Sequence, residues 1–111
     1  MFKNLLDAAK QLAEKINQDK IQPTKTIGLS ENGKKIANYL KRLIPSTANR
    51  KHLATILITD DGNLPLNKLI HAVKLYRQKN VKRIIVGLPI YKHEDVLELE
   101  KLADAVYTVH E

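Results

Sequence analysis

The chain has 111 residues, of which 43% are hydrophobic, carries a formal net charge of +7 and contains no cysteine. This length fits one domain, over residues 1–111, with a single hydrophobic core. The lack of cysteine excludes disulfides and thiolate chemistry. Charges throughout MFKNLLDAAKQLAEK exclude a signal peptide or membrane span there, so we expect a cytoplasmic protein without a membrane partner.

The charge is unevenly distributed along the chain. Six of the 12 acidic residues, but one of the 19 basic residues, lie at or after Glu94. A basic body of this kind can attract nucleic acid, phosphates or an acidic partner. The basic residues lack the interleaved aromatic residues typical of RNA-binding surfaces, so nucleic-acid binding stays open as an alternative that the sequence does not favour.

The first half of the chain alternates between helical and strand patterns. Apolar residues at three- and four-residue steps predict a helix over residues 2–18. A short strand is predicted at 24–29. Ser30 is a suitable N-cap for a second helix, whose apolar face runs over residues 36–44. Residues 46–52 form a polar connector.

The second half continues the alternation. Residues 53–59 are an almost uninterrupted apolar run rich in β-branched side chains, typical of a strand covered on both faces of a parallel sheet. The following patterns predict, in chain order, a helix over 66–79, a strand over 81–88 closed by Pro89, a helix around 96–103 and a strand over 105–109. Such alternation predicts a three-layer α/β sandwich with a four-stranded, mainly parallel sheet and right-handed crossovers.

Two adjacent acids, Asp60 and Asp61, follow the buried strand. Ligands of parallel sheets bind beyond the carboxyl ends of the strands, which is where these acids fall. Each carboxylate needs water, a cation, a backbone N–H or a hydroxyl group as a partner. An explanation without a ligand is that one of them caps the next helix, because the free N–H groups of a helix start favour negative charge.

Residues 53–111 resemble the type I phosphoribosyltransferases. In that family a hydrophobic strand ends in two acids and a glycine, followed by a phosphate-binding loop and a helix. A strand similar to KRIIVGLPI, another helix and a short strand similar to ADAVYTV come next. All of these segments occur here in the same order. More faintly, TIGLSENGKKIANYLKRLI resembles the first strand, diphosphate loop and following helix of the family.

The resemblance implies a phosphoribosyltransferase-like core that binds a nucleotide or ribose phosphate. Asp60 and Asp61 would accept hydrogen bonds from ribose hydroxyls, with or without Mg²⁺, and Lys68 would meet phosphate. The two acids are also the candidate metal ligands. The full set of ligand-binding residues that we predict is Ser30, Asp60, Asp61, Gly62, Asn63, Asn67 and Lys68.

The departures from the family pattern concern the phosphate-binding parts. Pro65 has no N–H to donate, and Leu64 and Leu66 place bulky groups where a backbone should approach phosphate. Glu31 would repel a diphosphate. Only seven residues separate Pro45 from the next strand, too few for the lid and hood of the family. Without a lid, water has access to the reacting centre.

These losses favour a non-catalytic phosphoribosyltransferase-like protein that binds a nucleotide, a ribose phosphate or a protein partner. A residual phosphoribosyltransferase that uses phosphoribosyl diphosphate and Mg²⁺ is one alternative. A basic structural or nucleic-acid-associated protein is the other. In the family, the segment before the strand that ends in the two acids also contains a core strand, which the seven residues here cannot supply. Its absence would leave a sheet edge open. Open edges tend to be paired or covered, so we also predict a homodimer or higher oligomer.

Overall fold

The computed structural model describes residues 3–45 and 55–110, which alternate between helices and strands as predicted. In chain order the elements are α1 (Leu5–Gln18), β1 (Lys25–Gly28), α2 (Glu31–Leu43), β2 (Thr55–Thr59), α3 (Leu66–Gln78), β3 (Arg83–Ile90), α4 (His93–Glu100) and β4 (Ala105–His110). The predicted connector at 46–52 and the first two residues of the predicted strand at 53–59 lie outside the described residues.

The four strands form one parallel sheet in the order β1-β2-β3-β4, which confirms the predicted fold class. Gly28 lies opposite Thr59, and Thr59 lies opposite Gly87, so β1 and β2 end at the same level. β3 continues beyond them to Ile90, which pairs with His110. Pro89 is therefore inside β3, and the prediction that it ends this strand is wrong because pairing with β4 continues past it.

Helices cover both faces of the sheet, because alternate residues of a strand point to opposite faces. Helices α1 and α2 pack with Leu57 and Ile85 on one face. Helices α3 and α4 pack with Ile56, Ile58 and Ile84 on the other. Each fully buried leucine or isoleucine contributes roughly 1.5–3 kcal/mol. Within residues 3–45 and 55–110, no helix is long and apolar enough to cross a membrane.

The three crossover connections do not all have the same hand. The strands advance by one place in the same direction at each step, yet α2 lies on the opposite face from α3 and α4. The β1-α2-β2 connection therefore has the opposite hand from the two that follow it. Since the connections differ in hand, the expectation of uniformly right-handed crossovers does not hold.

Candidate functional site

An acidic cavity of about 220 Å³ lies at the carboxyl ends of β1 and β2. This is the position at which ligands of parallel α/β sheets bind. Four of the predicted ligand-binding residues line it, namely Ser30, Asp60, Asp61 and Asn63. The other lining residues are Glu31, Asn32 and Leu64.

Asp60 forms the floor of the acidic cavity and is fully buried. Its Oδ1 atom accepts hydrogen bonds from the backbone N–H of Ser30 at 3.0 Å and from the Ser30 hydroxyl at 2.5 Å. Its Oδ2 atom is buried and has no donor among the described residues. Burial raises the pKa of Asp60, and the neighbouring Asp61 carboxylate raises it further, whereas the Ser30 hydrogen bond opposes the rise.

Ser30 connects the end of β1 to Asp60. It is the N-cap of α2, and its hydroxyl oxygen accepts a hydrogen bond from the Gly33 N–H at 3.0 Å while donating to Asp60. A Cβ atom at Gly33 would overlap Asp60 Oδ1, so only glycine lets the carboxylate approach the first turn of α2 this closely. The free N–H groups of that turn favour a negative charge beside them. The sequence predicted Ser30 as a cap, and the structure confirms this.

Asp61 is half-buried and is held by two asparagines. Its Oδ2 atom accepts hydrogen bonds from the side-chain amides of Asn32 at 2.9 Å and Asn63 at 3.3 Å, and Oδ1 accepts from the Asn63 backbone N–H at 3.0 Å. Burial alone would raise the pKa of Asp61, but these hydrogen bonds outweigh it and lower the pKa. Asp61 therefore loses its proton at a lower pH than Asp60 does.

Neither acid caps α3. That helix begins at Leu66, and its N-cap residue, Pro65, makes no side-chain capping hydrogen bond. Asp61 instead closes a turn to Asn63, two residues along the chain. The capping hypothesis is thus wrong, because the chain needs a further turn between the acids and the helix.

The loop after the acids is fixed against the end of β3. Gly62 has a φ of +101°, and a Cβ atom there would overlap the Ile90 carbonyl oxygen. The Tyr91 hydroxyl donates a hydrogen bond to the Leu64 carbonyl oxygen at 3.0 Å. Burial, followed by the charges of Asp95 and Asp60, raises the pKa of Tyr91 to about 12, so this donor keeps its proton at neutral pH.

Three predicted ligand-binding residues do not line the acidic cavity. Gly62 lines a neighbouring cavity of about 440 Å³, together with Tyr91 and Lys92. Asn67 and Lys68 are exposed and line a groove of about 660 Å³ on the other side of Leu64. The first turn of α3 buries Leu69 against the sheet, which turns Asn67 and Lys68 outward.

The acidic cavity has three carboxylates, from Glu31, Asp60 and Asp61, and no basic residue among those that line it. Among residues 3–45 and 55–110, no group of three or more histidine, cysteine, aspartate or glutamate side chains is placed to hold a metal ion. Magnesium takes six oxygen ligands in near-octahedral geometry. Asp60 Oδ2 and Asp61 would thus supply a minority of them, and water and a bound phosphate would supply the rest.

Two residues that shape the site were not predicted as part of it. Asn32 orients Asp61, and Tyr91 fixes the loop beside it. Both lie in segments that directly follow a strand, where ligands of parallel sheets bind, so their position was a signal although neither was included among the predicted ligand-binding residues. Nothing in the local sequence indicated that the Tyr91 ring would reach Leu64, which lies 27 positions earlier.

No family model matches the chain, and no curated protein matches it either. Among solved structures, the chain is similar to the crystal structure of TT1426 from Thermus thermophilus, with a TM-score of 0.77. The two sequences are 15% identical, and the match covers 98% of this chain and 84% of the other. At this identity the similarity shows the shared α/β fold.

Proposed function

We propose that the protein binds a ribose phosphate or nucleotide at the acidic cavity and does not transfer the ribosyl group. The buried Asp60 Oδ2 atom, which has no donor among the described residues, is the observation that carries this proposal. A buried polar atom without a partner costs about 1–3 kcal/mol, and a ligand hydroxyl would remove that cost.

The chemistry of the cavity suits the sugar better than the phosphate. Carboxylates accept hydrogen bonds from hydroxyl groups, whereas a phosphate would be repelled by Glu31, Asp60 and Asp61. The sugar would contact the half-buried Asp61 first and would reach the fully buried Asp60 Oδ2 when the cavity opens further. The phosphate would extend into a flanking cavity, towards Lys68 or Lys92, or would be accompanied by Mg²⁺.

Binding without transfer is favoured by the geometry of the loop that follows the acids. A phosphate cradle needs several backbone N–H groups that point to one place. Here Pro65 has no N–H, and the Asn63 N–H already donates to Asp61 Oδ1. A diphosphate leaving group would therefore have few donors to stabilise its charge.

Isothermal titration calorimetry with ribose 5-phosphate, phosphoribosyl diphosphate and nucleoside monophosphates, each with and without Mg²⁺, tests the proposal. Asp61→Asn removes the half-buried carboxylate with little change in shape. Hydrogen bonds to charged groups contribute about 1.5–3 kcal/mol, so we expect at least tenfold weaker binding. Glu14→Gln, on the exposed side of α1, is the matched control and should leave the affinity unchanged.

Two results would contradict the proposal. If none of these compounds binds at millimolar concentration, the acidic cavity is not a ribose phosphate site. If diphosphate is released from phosphoribosyl diphosphate, and Asp61→Asn abolishes the release, the protein is a residual transferase. Salt-sensitive retention on DNA or RNA, without binding of the small ligands, would favour the nucleic-acid alternative.

A further inference from the structure

The two edges of the sheet differ in how well they are covered. At the β4 edge, Lys15 of α1 donates a hydrogen bond from Nζ to the Thr108 carbonyl oxygen at 2.8 Å, and the Tyr107 hydroxyl donates to Asp19. Charged side chains that engage an edge protect it against pairing with another chain. At the other edge, β1 pairs with β2 alone among the described strands. Of the two edges, the β1 edge is therefore the one without a strand or a side-chain hydrogen bond of this kind in residues 3–45 and 55–110.

Two concave surfaces lie along the β1 edge, one on each face of the sheet. A cavity of about 290 Å³ on the α2 side lies at the start of β1. The groove of about 660 Å³ on the α3 side lies at its end, where Leu29 forms part of the wall. On the α3 side, Ile27 and Leu29 pack against the cluster that contains α3 but are not enclosed by it, and α2 lies on the opposite face. Ile27 and Leu29 are consequently only half-buried.

This arrangement suits an added strand. An extended peptide that pairs with a sheet edge gains main-chain hydrogen bonds, and its alternate side chains point to opposite faces. When the peptide lies along β1, every second side chain of the peptide would point to the α2-side cavity, and the side chains between them would point to the α3-side groove. The groove also contains Leu75, whose side chain is 40% exposed and is one of the most exposed large apolar side chains of the described residues.

The charge of both surfaces is positive. Lys25 and Lys41 line the cavity, and Lys68 lines the groove. Neither surface has an acidic residue among the residues that line it. Pairing of β1 with β1 of a second copy would bring like charges together, so the charges argue against a homodimer through this edge.

We infer that the β1 edge binds an extended acidic segment of another protein, in which acidic and apolar side chains alternate, as an added strand. The apolar side chains enter the α3-side groove against Leu29 and Leu75. The acidic side chains point to the α2 side and meet Lys41, and the exposed Lys25 at the start of β1 adds a positive charge beside them. The homodimer predicted from the open edge is then a competing occupant of the same surface.

The probe for this inference is an acetylated nonapeptide of alternating valine and glutamate, added to ¹⁵N-labelled protein at low salt. We expect amide chemical-shift changes concentrated over residues 24–29, and no binding of the peptide with lysine in place of glutamate. The double variant Lys25→Glu/Lys41→Glu should weaken binding at least tenfold. Lys10→Glu/Lys82→Glu changes the net charge equally, at exposed positions that line neither surface, and should weaken it less than threefold.

Several results would overturn the inference. One is that the amide chemical-shift changes occur in β4 instead of β1. Another is that the lysine peptide binds as tightly as the glutamate peptide. A third is that the two double variants weaken peptide binding equally. Tighter binding of a uridine 12-mer to the same amides would make the surface a nucleic-acid site. A dimer by light scattering that Lys25→Glu/Lys41→Glu alters would make a second copy the occupant. Because Asp61 lies outside both surfaces, Asp61→Asn should leave the peptide affinity unchanged, which separates this test from that of the ribose phosphate site.

Discussion

Replacing Asp60 with asparagine should stabilise the protein while weakening ligand binding. Asparagine keeps an oxygen for the two hydrogen bonds from Ser30 and places an N–H₂ group where Oδ2 now lies without a donor among the described residues. That amide can donate to the Asp61 carboxylate, whose charge raises the pKa of Asp60 in the natural protein. An unpartnered buried polar atom costs about 1–3 kcal/mol, so the unfolding free energy should rise by about that amount at neutral pH.

The increase in unfolding free energy caused by Asp60→Asn should depend on pH in a defined direction. Burial raises the pKa of Asp60 above its ordinary value of 3.8, so the protonated form is favoured in the folded protein. Ionisation of Asp60 therefore costs stability as the pH rises through its raised pKa in the folded protein. This cost is absent below the pKa that Asp60 has in the unfolded chain. Asparagine has no such cost, and its advantage should shrink as the pH falls from 8 towards 4.

Urea denaturation of both proteins at several pH values between 4 and 8, followed by circular dichroism, measures this difference. A thermal scan should show a midpoint higher by roughly 5 °C for each kcal/mol. Glu14→Gln serves as the control for loss of one carboxylate from an exposed position and should change stability by less than about 0.5 kcal/mol. If Asp60→Asn destabilises the protein at pH 7, the carboxylate has a required partner, and our account of an unpaired Oδ2 atom is wrong.

Three further substitutions probe the same region. Ser30→Ala removes both the α2 cap and a donor to Asp60, so urea denaturation should show a loss of about 1–3 kcal/mol, whereas a loss below about 0.5 kcal/mol would make the hydroxyl dispensable. Gly33→Ala should displace the Asp60 carboxylate and weaken ribose phosphate binding in calorimetry, and unchanged affinity would show that the close approach is unnecessary. Tyr91→Phe should cost about 1 kcal/mol by urea denaturation. Burial and the Asp19 hydrogen bond also raise the pKa of Tyr107 to about 12, so Tyr91→Phe should remove one of two tyrosines that ionise near pH 12 in an ultraviolet titration, and an undiminished amplitude there would contradict the raised pKa of Tyr91.

Most of the fold could be predicted because local patterns and tertiary packing agree. The apolar spacing of α1 and the β-branched run of β2 each match their burial in the structure. The hand of the β1-α2-β2 connection could not be predicted, because it depends on which face α2 covers and not on the composition of α2. The extension of β3 through Pro89 was missed for a similar reason, since it depends on how far β4 runs beside it.

The candidate site was predicted in part. Position after a buried strand was enough to identify Asp60 and Asp61, because the carboxyl ends of parallel strands meet at one edge of the sheet. Position after a buried strand was not enough to place Lys68, because the direction of its side chain depends on the residue at which α3 begins. The family resemblance suggested a continuous loop from the acids to this lysine, but Pro65 and the Tyr91 hydrogen bond separate the two.

The different roles of the two acids follow from their contacts with other residues. Asp60 and Asp61 are adjacent and chemically identical, yet burial raises the pKa of one and hydrogen bonds lower that of the other. The difference originates partly in the turn after the acids, where the Asn63 N–H donates to Asp61. It also originates partly in α2, where Gly33 admits Asp60 to the helix start and Asn32 donates to Asp61. Exchanging the two environments would require changes in that turn and in α2, and not in the acids themselves. For this reason, variants of Asn32 and Gly33 should alter ligand affinity even though both acids remain in place.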